Sequence, residues 1–395
     1  MKIQGVKVGV GVNFYLLKEQ WCVTFLFVVM LIFCLAFYLP LTSKSVNNFY
    51  YVGIALPCLL GALSNPRALV ELLKGFAWFF VLLLALVVIN STEIAGLKKW
   101  LYLFLFFMAC VFLECSRWGM KGCFILFAMV SSGVFFWVLV DWLWIWGQSG
   151  HLIRYDVFFG ERINPVYFSL LINSSLIFLW LFCVEGWLEK RSRIACLVGF
   201  FVLLALILLC STIFQSRTSL LAMAVFLVGY ALYRKMILPV IVLALLLIGL
   251  AVASGFSELL LRRGLSYRLD IWQDAWVRLS EVCGIWWGCG ADDYRFLGKF
   301  YHAHSGYVAL LYRNGLAGGL IFILLAALFL WRCSLAHSRW LLLALFGWGS
   351  LLTTTNGMLT SPQPLWIYCW LPTFMALLDT QKGTLDRFFA AREAV

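Results

Sequence analysis

The sequence predicts an all-α polytopic membrane protein with about twelve transmembrane helices. One large outward loop, about 257–304, carries an amphipathic interfacial helix. Three observations predict this. Of the 395 residues, 64% are hydrophobic and the mean hydropathy is +0.96, more apolar surface than a soluble domain can cover. Apolar runs of ~20 residues recur along nearly the whole chain, the length that crosses a bilayer. Only 12% of residues are charged, and most charges fall in short connections. Without internal repeats, residues 1–395 read as a single integral membrane domain.

The predicted spans are 21–41, 49–64, 75–91, 100–115, 122–147, 165–184, 194–213, 218–233, 236–256, 306–331, 339–356 and 364–380. Residues 1–20 are polar and basic, and no small-residue cleavage pattern follows the first run, so the first helix is expected to stay uncleaved. With the N-terminus inside, the inward connections hold seventeen of the thirty Lys and Arg, the bias that fixes orientation. This explains most of the net charge of +12 without nucleic acid as a partner. Both termini then lie inside.

Outward arginine is concentrated, not scattered. Arg154 and Arg162 lie in the loop 148–164, and Arg217 in a short turn. Arg262, Arg263, Arg268, Arg278 and Arg295, with Lys299, lie in the long loop 257–304 between the ninth and tenth spans. Within it, Ser266 to Leu279 has Leu269, Trp272, Trp276 and Leu279 at helical spacing. Indole rings suit a membrane interface, and Trp286 and Trp287 extend that contact. Asp274 and Arg278, four apart, can pair. Gly288-Cys289-Gly290 reads as a flexible turn. Most of the thirteen cysteines lie inside apolar runs and act as small hydrophobes. Cys283 and Cys289 lie in the long loop, where a disulfide and two free thiols both remain open.

His304 stands where the long loop meets the tenth span, near water, and imidazole is the natural general base near neutral pH. His302 would point away from it on a helix. No metal site is expected, because His-x-His lacks a further ligand. Arg217, at the lip of the bundle, is costly without a partner or ligand. Arg268 opens the interfacial helix. Two guanidinium groups aimed at one place would bind a diphosphate bidentately. Arg162 follows Glu161, which can neutralise it. Arg313, nine residues past His304, would face away from it on an unbroken helix and reads as structural; Asn314-Gly315 is a place for that helix to break. Asp292 and Asp293 are alternative bases. The first outward loop, 42–48, holds no acid, which argues against glycosyltransferases that bind a divalent ion there. A transporter would place ionisable residues near mid-membrane and often show repeats, a pattern this chain lacks.

At these residues the chain resembles the O-antigen ligase superfamily, which includes O-antigen polymerases and protein O-oligosaccharyltransferases. Gln215-Ser216-Arg217-Thr218-Ser219-Leu220-Leu221 is similar to its Ser-Arg segment, and Arg268-Leu269-Asp270-Ile271-Trp272 to the motif opening its periplasmic helix. Gly288-Cys289-Gly290 resembles its Gly-x-Gly turn. His302-Ala303-His304-Ser305-Gly306-Tyr307, with Gly315-Leu316-Ala317-Gly318, resembles its terminal His motif. The family usually has Asn after the His, where this chain has Ser305. The resemblance implies an enzyme of the Gram-negative inner membrane with cytoplasmic termini and a periplasmic site. It implies metal-independent, inverting transfer, without a cofactor, of a glycan from undecaprenyl diphosphate to a lipid A–core hydroxyl. His304 would be the base, Arg217 and Arg268 the diphosphate ligands, and Arg162, Tyr301, His302 and Ser305 further substrate contacts. A polymerase would share the donor chemistry. A protein oligosaccharyltransferase fits less well, because those chains usually carry more periplasmic mass after the last spans.

Overall fold

The computed structural model describes residues 20–64, 66–89, 94–114, 119–253, 255, 267–290, 294–354 and 357–381. Arg262, Arg263, Asp292, Asp293, residues 1–19 and the tail after 381 lie outside them. The chain runs through α1 (Gln20–Leu35), α2 (Ser43–Ser64), α3 (Pro66–Lys74), α4 (Ala77–Val88), α5 (Ile94–Glu114), α6 (Gly119–Ser149) and α7 (Pro165–Glu189). It continues through α8 (Arg193–Ile213), α9 (Arg217–Arg234), α10 (Ile237–Ala253), α11 (Arg268–Arg278), α12 (Gly306–Leu335), α13 (Arg339–Ser350) and α14 (Leu371–Asp379). Between α6 and α7, β1 (Val157–Phe158) pairs antiparallel with β2 (Glu161–Arg162).

The fold is an all-α membrane protein. Among the described residues, six helices are long and apolar enough to cross a membrane: α2, α5, α6, α7, α8 and α12. Backbone polar groups in lipid must bond internally, so an apolar run has little choice but helix. Side-chain shape then sorts the faces. On α8, Ile194, Val198 and Val202 are exposed at four-residue spacing, while Cys196, Phe200, Leu203, Leu204 and Ile207 are buried. Other predicted spans are helical but shorter. The 12 residues of α13 reach only ~18 Å.

One predicted span is not a single helix. The run 306–331 counts as one predicted span, with Asn314-Gly315 a place for it to break, and α12 does break at Gly315, whose φ of 60° and ψ of −165° are not helical. Tyr307 and Phe322 would stand ~22 Å apart on a straight helix, yet their ring centroids are 5.6 Å apart. The chain therefore turns back sharply, and a short outer helix, 306–314, leads into the span 316–335. Small residues permit this: a Cβ at Gly319 would lie 2.7 Å from Leu311 Cδ2.

The bundle has two distinct polar ends. At one, Arg154 Nε donates to the Phe214 carbonyl (2.9 Å), Thr353 Oγ1 to Thr218 Oγ1 (2.9 Å) and Asn314 Nδ2 to the Leu86 carbonyl (2.6 Å). At the other, buried Glu185 receives Tyr230 Oη (2.7 Å) and faces Arg234 Nε (3.4 Å) and Arg339 Nη1 (3.8 Å). Ser338 Oγ donates to Asp379 there (2.6 Å). Between these ends lies an aromatic core around Trp366, Tyr50, Phe33 and Phe106, all fully buried.

Glu185 ties α7, α9 and α13 through charge. Removing one partner of a buried ion pair leaves the other uncompensated. Glu185→Ala should lower stability by about 2 kcal/mol, less than the full cost because Arg234 and Arg339 keep some water. An unchanged thermal unfolding midpoint in detergent would refute this.

Candidate active site

Each candidate side chain at the first end sits at or just before the start of a helix, and the local sequence explains why. α8 ends at Ile213, and Gln215 turns the chain with a left-handed φ of 47°. Ser216 then caps α9, its Oγ accepting from Ser219 N (3.4 Å), so Arg217 is the first helical residue. The small polar residues beside Arg217 are all buried and bonded. Ser219 Oγ lies 2.9 Å from Ser216 Oγ and 2.7 Å from Ser169 Oγ on α7. Asn173 Nδ2 donates to Ser169 Oγ (3.4 Å) and Ser211 Oγ (3.3 Å). Thr218 is held by Thr353. These bonds fix where Arg217 starts. Its half-buried side chain projects from that base.

Arg268 is the first residue of α11, after Tyr267 in a left-handed turn with φ 53°. The inward face of α11 is Ile271, Ala275 and Leu279, which are buried. Of the expected stripe, Leu269 and Trp276 are exposed, Leu279 is buried, and Trp272 is half-buried with its indole Nε1 donating to the Ala303 carbonyl (2.9 Å). Ser266 lies outside the described residues. Arg278 pairs with Asp274 (3.0 Å) and donates to the Arg295 carbonyl (2.8 Å), so it braces the loop. Ile271 and Ala275 join Tyr294 and Tyr312 in a small core separate from the bundle. That core sets α11 beside the outer helix of α12, with Arg268 and His304 at the same end.

His304 precedes the outer helix with a left-handed φ of 50°, a conformation uncommon for a residue with a Cβ. Its backbone N–H donates to His302 Nδ1 (3.3 Å), and the two rings lie 3.9 Å apart. The two rings meet because the pair is not helical; on a helix they would point apart. Ser305 is buried and caps the helix: its Oγ accepts from Val308 N (3.3 Å) and donates to the Leu351 carbonyl (3.5 Å). Gly306 N also donates to Leu351 (2.8 Å). The turn 351–353 thus anchors both the α9 start and the α12 start.

Electrostatics join these three side chains. Burial, and then the nearby Arg217 guanidinium, hold Arg268 below the usual arginine range. Burial, then His302 and Arg268, lower His304 from the ordinary 6.5 to about 4. The imidazole is therefore neutral at pH 7. Burial and then the charge of Arg313 lower His302. Arg162 is exposed on β2, and Tyr301 is exposed beneath the Arg295 guanidinium, 5.5 Å from its ring centroid. Neither is packed into the cluster. Sequence reasoning missed the supporting residues Ser169, Asn173, Leu351 and Thr353. Polar residues inside an apolar span carried a usable signal for the first two.

If Arg268 depresses His304, then Arg268→Gln should raise its pKa above about 4. Histidine NMR of the full-length protein reads this directly, and an unmoved titration would refute the coupling. The folded state binds protons at His304 less readily than the unfolded chain. Its contribution to stability is therefore full above about 6.5 and is lost as pH falls toward about 4.

Comparison with known proteins places this geometry in context. No protein-family model matches the sequence, and no solved structure matches it. A curated O-antigen ligase of Pseudomonas aeruginosa is 28% identical over 378 residues, covering 88% of this chain and 87% of that protein. The likeness runs through nearly the whole chain, not one motif, and supports an O-antigen ligase-like assignment.

Proposed function

We propose that this chain is a polytopic glycosyltransferase of the Gram-negative inner membrane, crossing it about twelve times with both termini cytoplasmic. It moves a glycan from undecaprenyl diphosphate to a hydroxyl of lipid A–core on the periplasmic face. The observation that carries this reading is the convergence of Arg217, Arg268 and a neutral His304, each at a helix start. Helix N-termini and guanidinium groups both favour phosphate. The curated relative's name, O-antigen ligase, agrees with it.

Two further features support the orientation. Cys283 and Cys289 form a disulfide in the long loop, as suits an oxidising compartment. Lys121, Arg234, Lys235, Arg332 and Arg339 cluster toward the Glu185 end, as suits the cytoplasmic side.

The chemistry follows from the charges. The neutral His304 imidazole takes the proton of the acceptor hydroxyl. The hydroxyl oxygen attacks the anomeric carbon and forms the new glycosidic bond. The bond from that carbon to the diphosphate oxygen breaks, and its electron pair leaves with the diphosphate. Arg217 and Arg268 stabilise the charge on that leaving group. Attack from the opposite face inverts the carbon. With a pKa of about 4, His304 is a weak base before the substrate arrives. A bound diphosphate dianion offsets the neighbouring cations and raises its basicity.

His304→Ala should reduce transfer by at least ~10²-fold while the protein still reaches the membrane. Arg217→Lys should cost ~10²-fold, because an ammonium cannot make the bidentate contact. Normal long-chain lipopolysaccharide in either variant would sink the respective role. Lipids of a deletion strain separate two acceptors: lipid-linked polymer accumulating beside bare core indicates a ligase, and core bearing one repeat indicates a polymerase.

A further inference from the structure

The break in α12 is filled by another piece of the chain. In a continuous helix, the amides of Leu316 and Ala317 would bond to the carbonyls of Tyr312 and Arg313. Here those four groups are separated, and the loop 285–290 sits between them. Leu316 N donates to the Ile285 carbonyl (2.9 Å) and Ala317 N to the Trp286 carbonyl (3.1 Å). Cys289 N donates to the Tyr312 carbonyl (2.8 Å) and Gly290 N to the Arg313 carbonyl (3.0 Å). The inserted loop thus satisfies these four backbone groups.

The fit requires two glycines and is closed by a disulfide. Gly288 has φ 78°, and a Cβ there would collide with the Arg313 carbonyl. Gly315 has φ 60°, and a Cβ there would collide with the Trp286 carbonyl. The Cys283–Cys289 disulfide closes the loop that makes the insertion. Cys283 also ends the π-helical turn that follows α11. The insertion therefore ties the far end of α11 to the far end of the outer helix 306–314. Their near ends carry Arg268 and His304.

We propose that this disulfide-closed insertion is a positioning device for His304. It sets the angle of the outer helix at the break, and so the distance of the imidazole from the arginine pair. Gly288, Gly315, Cys283 and Cys289 are then positioning residues that touch no substrate. The inference rests on the assignment of His304 as the base.

The test uses the full-length protein in lipid nanodiscs, compared before and after reduction with a phosphine and as the Cys283→Ser, Cys289→Ser double variant. Reduction starts from folded protein, so it stays informative if the variant misfolds. Three readouts are taken: the single-turnover transfer rate, the affinity for undecaprenyl diphosphate, and amide exchange at Cys289, Gly290, Leu316 and Ala317. The expected result is a ~10²-fold slower transfer, affinity held within about twofold, and faster exchange at those amides. Unchanged transfer with both thiols titratable would overturn the proposal. So would transfer and affinity falling together, which would mean that the insertion holds the arginine pair as well. His304→Ala runs in parallel: if it keeps transfer, the base assignment fails, whereas its loss combined with unaffected turnover after reduction sinks the positioning role alone.

Discussion

Two arginines near enough to feel each other's charge, both at helix starts, set the constraint at this end of the protein. Burial, then Arg217, lowers the proton affinity of Arg268, and burial, then His302 and Arg268, lowers that of His304. Such an arrangement opposes folding, so neighbouring structure must impose it. Ser216 caps one helix and Ser305 another. The turn 351–353 holds both starts, and Trp272 fastens α11 to the residue before His304. These anchors are neutral hydrogen bonds and packed rings, so the site keeps its positive field. An anion entering it meets two cations and several helix N-termini at once.

The anchors also show why the site lies where it does. The bundle supplies rigidity below, through Ser169, Asn173, Ser211 and Ser219, all within a bonded network inside the apolar core. Above it, α11 and the outer helix 306–314 form a second small core. His304 sits at their junction, half-buried and neutral.

Much of this was legible in the sequence, for a physical reason. Lipid demands continuous apolar runs, so the helices were visible in composition. What stayed hidden depended on geometry that hydropathy does not encode. The run 306–331 is apolar apart from Arg313-Asn314, so its fold-back at Gly315 left only the Asn314-Gly315 pair as a hint. On α11, apolar residues face both the small core and the outside, so the expected stripe mixed the two. The His302–His304 contact depends on one left-handed residue. Ser169 and Asn173 are small polar residues within an apolar run, and nothing in their spacing tied them to Arg217.

The central claim is that Arg217 and Arg268 address one diphosphate. A double-mutant cycle on undecaprenyl diphosphate binding tests it most directly, using Arg217→Gln, Arg268→Gln and the pair in nanodiscs. If the two guanidiniums repel when empty and share one ligand, the effects couple, and the double variant loses less affinity than the two single losses multiplied. Single losses that multiply cleanly would place the arginines at independent sites and contradict the account.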